Sequence, residues 1–261
     1  MSICTIKILP GNADKIFDQK IIDIVESFQR SSIEQSLIIF DQSSKKPRKG
    51  FLPDSAKVTD YGMTITYVFE KGIIIPTFEG DKKEFQTITA ECKFIKKEGI
   101  LLISSNNAKL IDEVANSLAN IFFPKIVAEC FELNFSSDDL HSIIEKGARI
   151  VIEAIHYKTK GLDQIRLKAF DIQKKDWYIE EGFDSENVER YMFIPNLTGE
   201  LAKKTVVCNI YKNGRFVIYQ KQTFGEKEIE EIQFFIVKMI SEILGSPLCQ
   251  YGQTGSQAKL M

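Results

Sequence analysis

Cys208-Asn-Ile-Tyr211-Lys-Asn-Gly214-Arg-Phe-Val-Ile218 reads as two short strands around a glycine turn. The chain spells nearly the same passage once before, as Cys92-Lys-Phe-Ile-Lys-Lys-Glu-Gly99-Ile-Leu-Leu-Ile103. Each places apolar and β-branched residues on both sides of a glycine, the local signature of a β-hairpin. After a short polar link each hairpin leads into an amphipathic helix, residues 107–123 in the first case and 225–244 in the second. A unit of this length occurring twice implies a pseudo-two-fold molecule.

Working outward, residues 2–9 alternate as a strand does, and Pro10-Gly11-Asn12 breaks the pattern. Ile16, Phe17, Ile21, Ile24, Val25 and Phe28 recur at helical spacing, predicting a helix over 13–30. A short strand at 36–40 precedes a Ser-, Lys- and Pro-rich stretch, 41–55, that reads as an exposed loop. Residues 63–69 and 73–78, separated by Glu70-Lys71-Gly72, predict a hairpin turning at Gly72, with a second hairpin over 87–104. Pro124 stops the first long helix.

The series then restarts with a strand at 125–133 and a short helix, capped by Ser136 or Ser137, running to Lys146. Strands follow at 148–157 and 164–170, then an acidic connection over 176–189, a strand near 191–194 and the hairpin 205–221. Thr223 and Glu226 have capping-box spacing for the last helix, which Gly245 ends. The expected domains are a first repeat over 1–124, a second over 125–245 and an unstructured tail over 246–261. Sequential antiparallel strands with the long helices gathered on one face make this an α+β fold.

At 261 residues, 44% hydrophobic and 27% charged, the chain buries a sizeable core and has the composition of a soluble globular protein. No apolar run approaches the roughly 20 residues of a membrane span, and no secretory signal is read at the N-terminus. Cys4, Cys92, Cys130, Cys208 and Cys249 include no Cys-x-x-Cys pair and have only His141 and His156 to join them. That argues against a zinc site and for small buried thiols in a reducing, intracellular compartment, nucleus or cytoplasm. A net charge of −2 gives no global attraction to nucleic acid, so any such surface must be local.

The element order, the 208–218 hairpin and Pro124-Lys-Ile-Val-Ala-Glu-Cys-Phe-Glu-Leu133 resemble the TATA-box-binding protein (TBP) family. That family's core is a saddle of two such repeats, a curved antiparallel sheet with helices on its convex face. The likeness is to a highly divergent member, of the kind some large DNA viruses encode, for which a viral factory would be the compartment. Tyr211 stands where the family has an intercalating phenylalanine, and Lys125 where it usually has a base-contacting asparagine. One extra residue in the first hairpin leaves Phe94 or Lys96 at the aromatic position. The acidic connection over 176–189 and the longer chain depart from the family pattern.

The resemblance implies a monomeric transcription initiation factor that bends A·T-rich double-stranded DNA through the minor groove and meets transcription-machinery proteins with its helical face. Wedge candidates are Tyr61 or Phe69, Phe94, Tyr191 or Phe193, and Tyr211; core or cross-strand packing is the competing reading for each. Phosphate contacts would come from Lys96 and Lys97, with Lys93, at the first turn, and from Lys212 and Arg215 at the second. The run Lys45-Lys46-Pro47-Arg48-Lys49 reads as a backbone grip, an import signal or a solvated loop.

No phosphate-binding loop, nucleophile elbow or His-Glu-x-x-His is present, and no cofactor motif. Asp138-Asp139 with His141 has the composition of an acid-base cluster, but it also starts a helix, where carboxylates complement the dipole. The alternative function is a module of the same fold that holds a protein partner and no DNA.

Overall fold

The computed structural model describes residues 2–8, 49–52, 55–105, 107, 110, 111, 114, 131–183, 187–219 and 224–245. In chain order the elements are β1 (Ser2–Ile8), β2 (Lys49–Phe51), β3 (Lys57–Thr59), β4 (Gly62–Thr77), β5 (Gly80–Ile95), β6 (Ile100–Ser105), β7 (Phe131–Glu132) and α1 (Ser137–Gly147). They continue with β8 (Ala148–Thr159), β9 (Leu162–Lys168), α2 (Asp176–Glu180), β10 (Val188–Pro195), β11 (Val207–Tyr211), β12 (Arg215–Tyr219) and α3 (Glu226–Leu244). Antiparallel sheet with few helices makes this an α+β fold. The chain forms two compact units, residues 9–130 and residues 1–8 together with 131–261.

In the unit 9–130, β4 and β5 pair along their whole length, from Gly62↔Ile95 to Thr77↔Gly80. The turn is therefore Phe78-Glu79. The expected turn at Glu70-Lys71-Gly72 is corrected: the ladder runs straight through Gly72, which faces Phe85 on β5. An aromatic cross-strand partner covers the gap that a strand glycine leaves. β2 and β3 pair with the first half of β4, reaching no further than Phe69, and β6 pairs with Ala90 to Ile95 of β5. Lys49–Phe51, expected within a loop, is thus a strand. Residues 110, 111 and 114 are helical, in keeping with the first long helix. The expected helix 13–30 and strand 36–40 lie outside the described residues, as do the tail 246–261 and most of the loop 41–55.

In the other unit the strand order is β1-β12-β11-β10-β8-β9, with β7 also on β1, all antiparallel. Cys4, Ile6, Cys208, Ile210, Phe216, Ile218, Tyr191 and Phe193 are buried on one face of these strands, and Ile3, Asn209 and Val217 on the other face are buried as well. α1 and α3 lie on that core face: the Gln233 amide of α3 donates to Cys4 Sγ at 3.4 Å, and His141 of α1 reaches Tyr191. The two helices cross at Gly147, where an added Cβ would stand 1.6 Å from Met239 Sδ.

α1 begins as expected. Ser136 Oγ accepts from the Asp139 N–H and the Asp139 carboxylate accepts from the Ser136 N–H, both at 3.0 Å. The expected Thr223/Glu226 capping pair for the last helix is displaced by two residues. Gly225 is the N-cap, and its N–H donates to Glu228 Oε2 at 3.0 Å. Gly245, at φ 89°, ends the helix as read from the sequence. Cys4, Cys92 and Cys208 are buried free thiols. Burial pushes the Cys92 and Cys208 thiols well above the ordinary range, with Glu91 adding to the first and Cys4 to the second. No helix among the described residues is long and apolar enough to cross a membrane.

Candidate nucleic-acid interface

The hairpin β11–β12 closes on a three-residue turn whose Gly214 has φ 72° and donates its N–H to Tyr211 O at 3.1 Å. Only glycine occupies that position without strain. It is also crowded, since a Cβ there would lie 2.8 Å from Leu133 Cβ. The turn is pinned on both sides, Phe135 N–H donating to Lys212 O at 2.7 Å and Lys212 N–H to Glu189 O at 2.9 Å. The strands leaving this turn therefore have a fixed direction.

Residues two apart on a strand share a face. Cys208 and Ile210 point to the helices, so Asn209 and Tyr211 point away from them, as do Arg215, Val217 and Tyr219 on β12. Arg190 of β10 is the register partner of Tyr211. The sheet face opposite α1 and α3 thereby collects a polar network. Arg190 Nη1 lies 3.5 Å from the Tyr211 hydroxyl, and its Cζ 5.6 Å from the ring centre. Arg215 Cζ is 5.3 Å from the same ring. Both distances are within the range in which a cation is attracted to an aromatic face. The Asn209 amide donates to the Tyr219 hydroxyl at 2.8 Å and to that of Tyr211 at 3.4 Å.

Glu153 of β8 anchors the network. Its carboxylate, 1% exposed, pairs with Arg190 on one side and with Arg166 of β9 on the other, the latter at 2.6 Å. One buried anion thus holds cations from both neighbouring strands in place. Burial pulls the Arg190 pKa down, but the Tyr211 hydroxyl and the Glu153 carboxylate more than offset it, and the guanidinium stays charged. Tyr219 is raised, first by burial and then by Tyr211. Arg215 has no carboxylate partner among the described residues. Its buried Nε, the Nε of Arg190 and Oδ1 of Asn209 have no hydrogen-bond partner either. With three arginines to one glutamate the cluster is locally cationic on a chain whose net charge is −2.

Of the residues singled out from sequence, Tyr211, Lys212 and Arg215 come together here, Tyr211 and Arg215 half-buried on the face opposite the helices and Lys212 in the turn. Tyr191 does not join them. Its ring is buried on the helix side, its hydroxyl 3.3 Å from Tyr178 and 3.4 Å from His141 Nδ1. The Tyr178 hydroxyl continues to the buried His156 Nε2 at 3.3 Å, so both histidines of the chain end one hydrogen-bonded line through two tyrosines. The Asp139 carboxylate takes part in the α1 cap. Phe193 is likewise in the core.

In the unit 9–130, Phe94 is 1% exposed and belongs to the core. Lys93 is buried beside Glu91, Lys96 is half-buried in the turn and Lys97 exposed. Tyr61 is half-buried, its carbonyl accepting from the Lys96 N–H at 2.9 Å. Phe69 is half-buried on β4, and Lys125 lies outside the described residues. Glu153, Arg166, Arg190, Asn209 and Tyr219 were not read as site residues. Their only local signal is a polar or charged residue within otherwise apolar strands. No protein-family model matches the chain, and no curated protein does.

Proposed function

We propose that this protein binds duplex DNA through the Tyr211 end of the hairpin 207–219, in the manner of a divergent TBP-like factor that bends A·T-rich sites. The observation that carries the reading is the half-buried Tyr211 ring with the Arg190 and Arg215 guanidinium groups beside it, one of them without a carboxylate partner among the described residues, on the sheet face opposite α1 and α3. Planar guanidinium cations suit phosphate oxygens, and releasing counterions from the DNA drives the association. The Tyr211 ring adds an apolar surface for the sugar or base edges of a widened minor groove. Phe94 and Tyr191, enclosed in their cores, are no wedges in this arrangement, so Tyr211 acts without partners from those positions.

The test is binding to a fluorescent A·T-rich duplex across a salt series, with donor and acceptor dyes at its ends to read bending. Arg215→Ala should weaken binding and lower the slope of log K against log salt by about one phosphate contact's worth, roughly 0.9. Tyr211→Ala should reduce the bend more than the salt slope. Absence of any binding at low salt would remove this reading and leave the Tyr211 cluster to a protein partner.

A further inference from the structure

Beyond Phe69 on β4 and before Ala90 on β5, the β4–β5 hairpin runs on as a two-stranded arm with no third strand beside it among the described residues. An isolated two-stranded ribbon is marginal in water. This one carries Ile73, Ile74 and Ile75 in succession, so both of its faces are apolar. Ile74 is 68% exposed, Phe78 at the tip fully so, and Phe85 stands 37% exposed at mid-arm. Such an arm calls for a partner.

The arm's two edges are unlike. Thr77 and Gly80 close the two-residue turn, so by alternation the amide positions of Ile74 and Pro76 on β4, and of Asp81, Phe85 and Thr87 on β5, face outward. Pro76 has no N–H to offer, which blunts the β4 edge near the tip. The β5 edge from Asp81 to Thr89 presents its full set of donors and acceptors.

The geometry points to a second copy of this chain as the occupant, the two β5 edges pairing antiparallel about a two-fold axis at Phe85. In that register Phe85 meets Phe85 of the second copy, Glu84 meets Gln86, Lys82 meets Ile88 and Asp81 meets Thr89. No like charges stand opposite one another, and all nine edge residues find partners. The ring pair on the axis adds an aromatic cross-strand contact. A two-fold contact between equal edges closes on itself, and the blunted β4 edge stops further strand addition, so assembly ends at a dimer. DNA is the poorer occupant: residues 70–88 hold three lysines against four carboxylates. The dimer departs from the monomer expected from the sequence, and it is independent of the DNA-binding reading.

The test is analytical ultracentrifugation of the full chain over a concentration series, with two variants. Thr87→Pro removes one outward N–H without touching the β4–β5 ladder, and is expected to weaken dimerisation at least tenfold with an unchanged far-ultraviolet spectrum. Phe85→Cys places two thiols about 5.5 Å apart at Cα, within disulfide reach, and should oxidise to a linked dimer above the background of the native cysteines. Asp81→Cys, far from its counterpart in this register, should not. A wild type that stays monomeric, a dimer indifferent to Thr87→Pro, or equal crosslinking at Phe85 and Asp81 would each overturn the proposal. So would a Thr87→Pro effect confined to DNA binding.

Discussion

The hairpins 92–103 and 208–218 are built alike and used differently. Each opens on a buried cysteine, turns at a glycine of positive φ, 64° at Gly99 and 72° at Gly214, and is pinned by an N–H from just past the strand, Lys96 to Tyr61 O and Lys212 to Glu189 O. The extra residue of the first hairpin lies in its turn. The pairs Cys92↔Ile103 and Cys208↔Ile218 leave residues 96–99 and 212–214 as the loops. Counted from the cysteine, Phe94 therefore matches Ile210 in the core, and the counterpart of Tyr211 is Ile95, neither Phe94 nor Lys96. The residue opposite Ile95 is Gly62, and the residue opposite Tyr211 is Arg190. A Cβ at Gly62 would fall 2.4 Å from Phe94 O, so no arginine can occupy that place. What sets the second hairpin apart, the arginine beside its aromatic ring, is supplied by the neighbouring strand, not by the hairpin.

The widest separation should come from the two aromatics. Phe94→Ala deletes a ring from a closed core and should cost about 4 kcal/mol in urea unfolding, whereas Tyr211→Ala, trimming a half-buried ring, should cost about 1 kcal/mol or less. Equal costs would mean that Tyr211 is a packing residue, and the contrast between the hairpins would fail.

Next in size is the anchor that the first hairpin lacks. Glu153→Ala strands two guanidinium groups, one of them largely buried, and should destabilise by about 3 kcal/mol. The double variant Glu153→Met with Arg190→Met removes both charges and should recover much of that loss. A double variant worse than the sum of its parts would show that the network packs the sheet rather than neutralising a buried charge.

The parts legible in the sequence were those set by neighbours a few residues apart. The 208–218 hairpin, the Ser136 cap and the amphipathic face of α3 follow from turn chemistry and from a period of two or 3.6. Gly72 misled because a glycine inside a strand and a glycine in a turn look alike until the cross-strand residue, Phe85, is known. The real turn, Phe78-Glu79, has neither proline, asparagine nor glycine at its centre. The Glu153–Arg190–Tyr211 cluster joins residues 37 and 21 positions apart through strand register, and register is written in no local pattern. Tyr211 was singled out from sequence, and the arginine that the register sets beside it was not.

The glycines offer a smaller contrast. Alanine at either Gly99 or Gly214 must adopt a left-handed backbone at a cost of about 1–2 kcal/mol. At Gly214 the new methyl would also press on Leu133 Cβ and, at 2.9 Å, its carbonyl oxygen, so thermal unfolding should show a loss beyond that backbone cost there. A loss at Gly214 no greater than the backbone cost would mean that its turn yields to the methyl, contrary to a rigid mount for Tyr211.

The smallest effect separates the helices that follow the two hairpins. After the first, Ser105 Oγ accepts from the Asn107 N–H at 3.1 Å, a neutral contact indifferent to acid. After the second, Glu228 accepts from the Gly225 N–H and pairs with Lys204, and its pKa is lowered from 4.5, chiefly by the Lys204 hydrogen bond and then by that N–H. A carboxyl whose folded pKa lies below its unfolded value stabilises fully above the unfolded value, and the benefit disappears as pH falls through the folded one. Wild type should therefore melt above Glu228→Gln at neutral pH, and the two curves should converge below the ordinary carboxylate range. Ser105→Ala should stay below wild type by a constant margin across the same pH span, because no proton is exchanged at that contact. Parallel curves for Glu228→Gln would mean that the helix start draws nothing from its charge, and the two helix entries would then be equivalent after all.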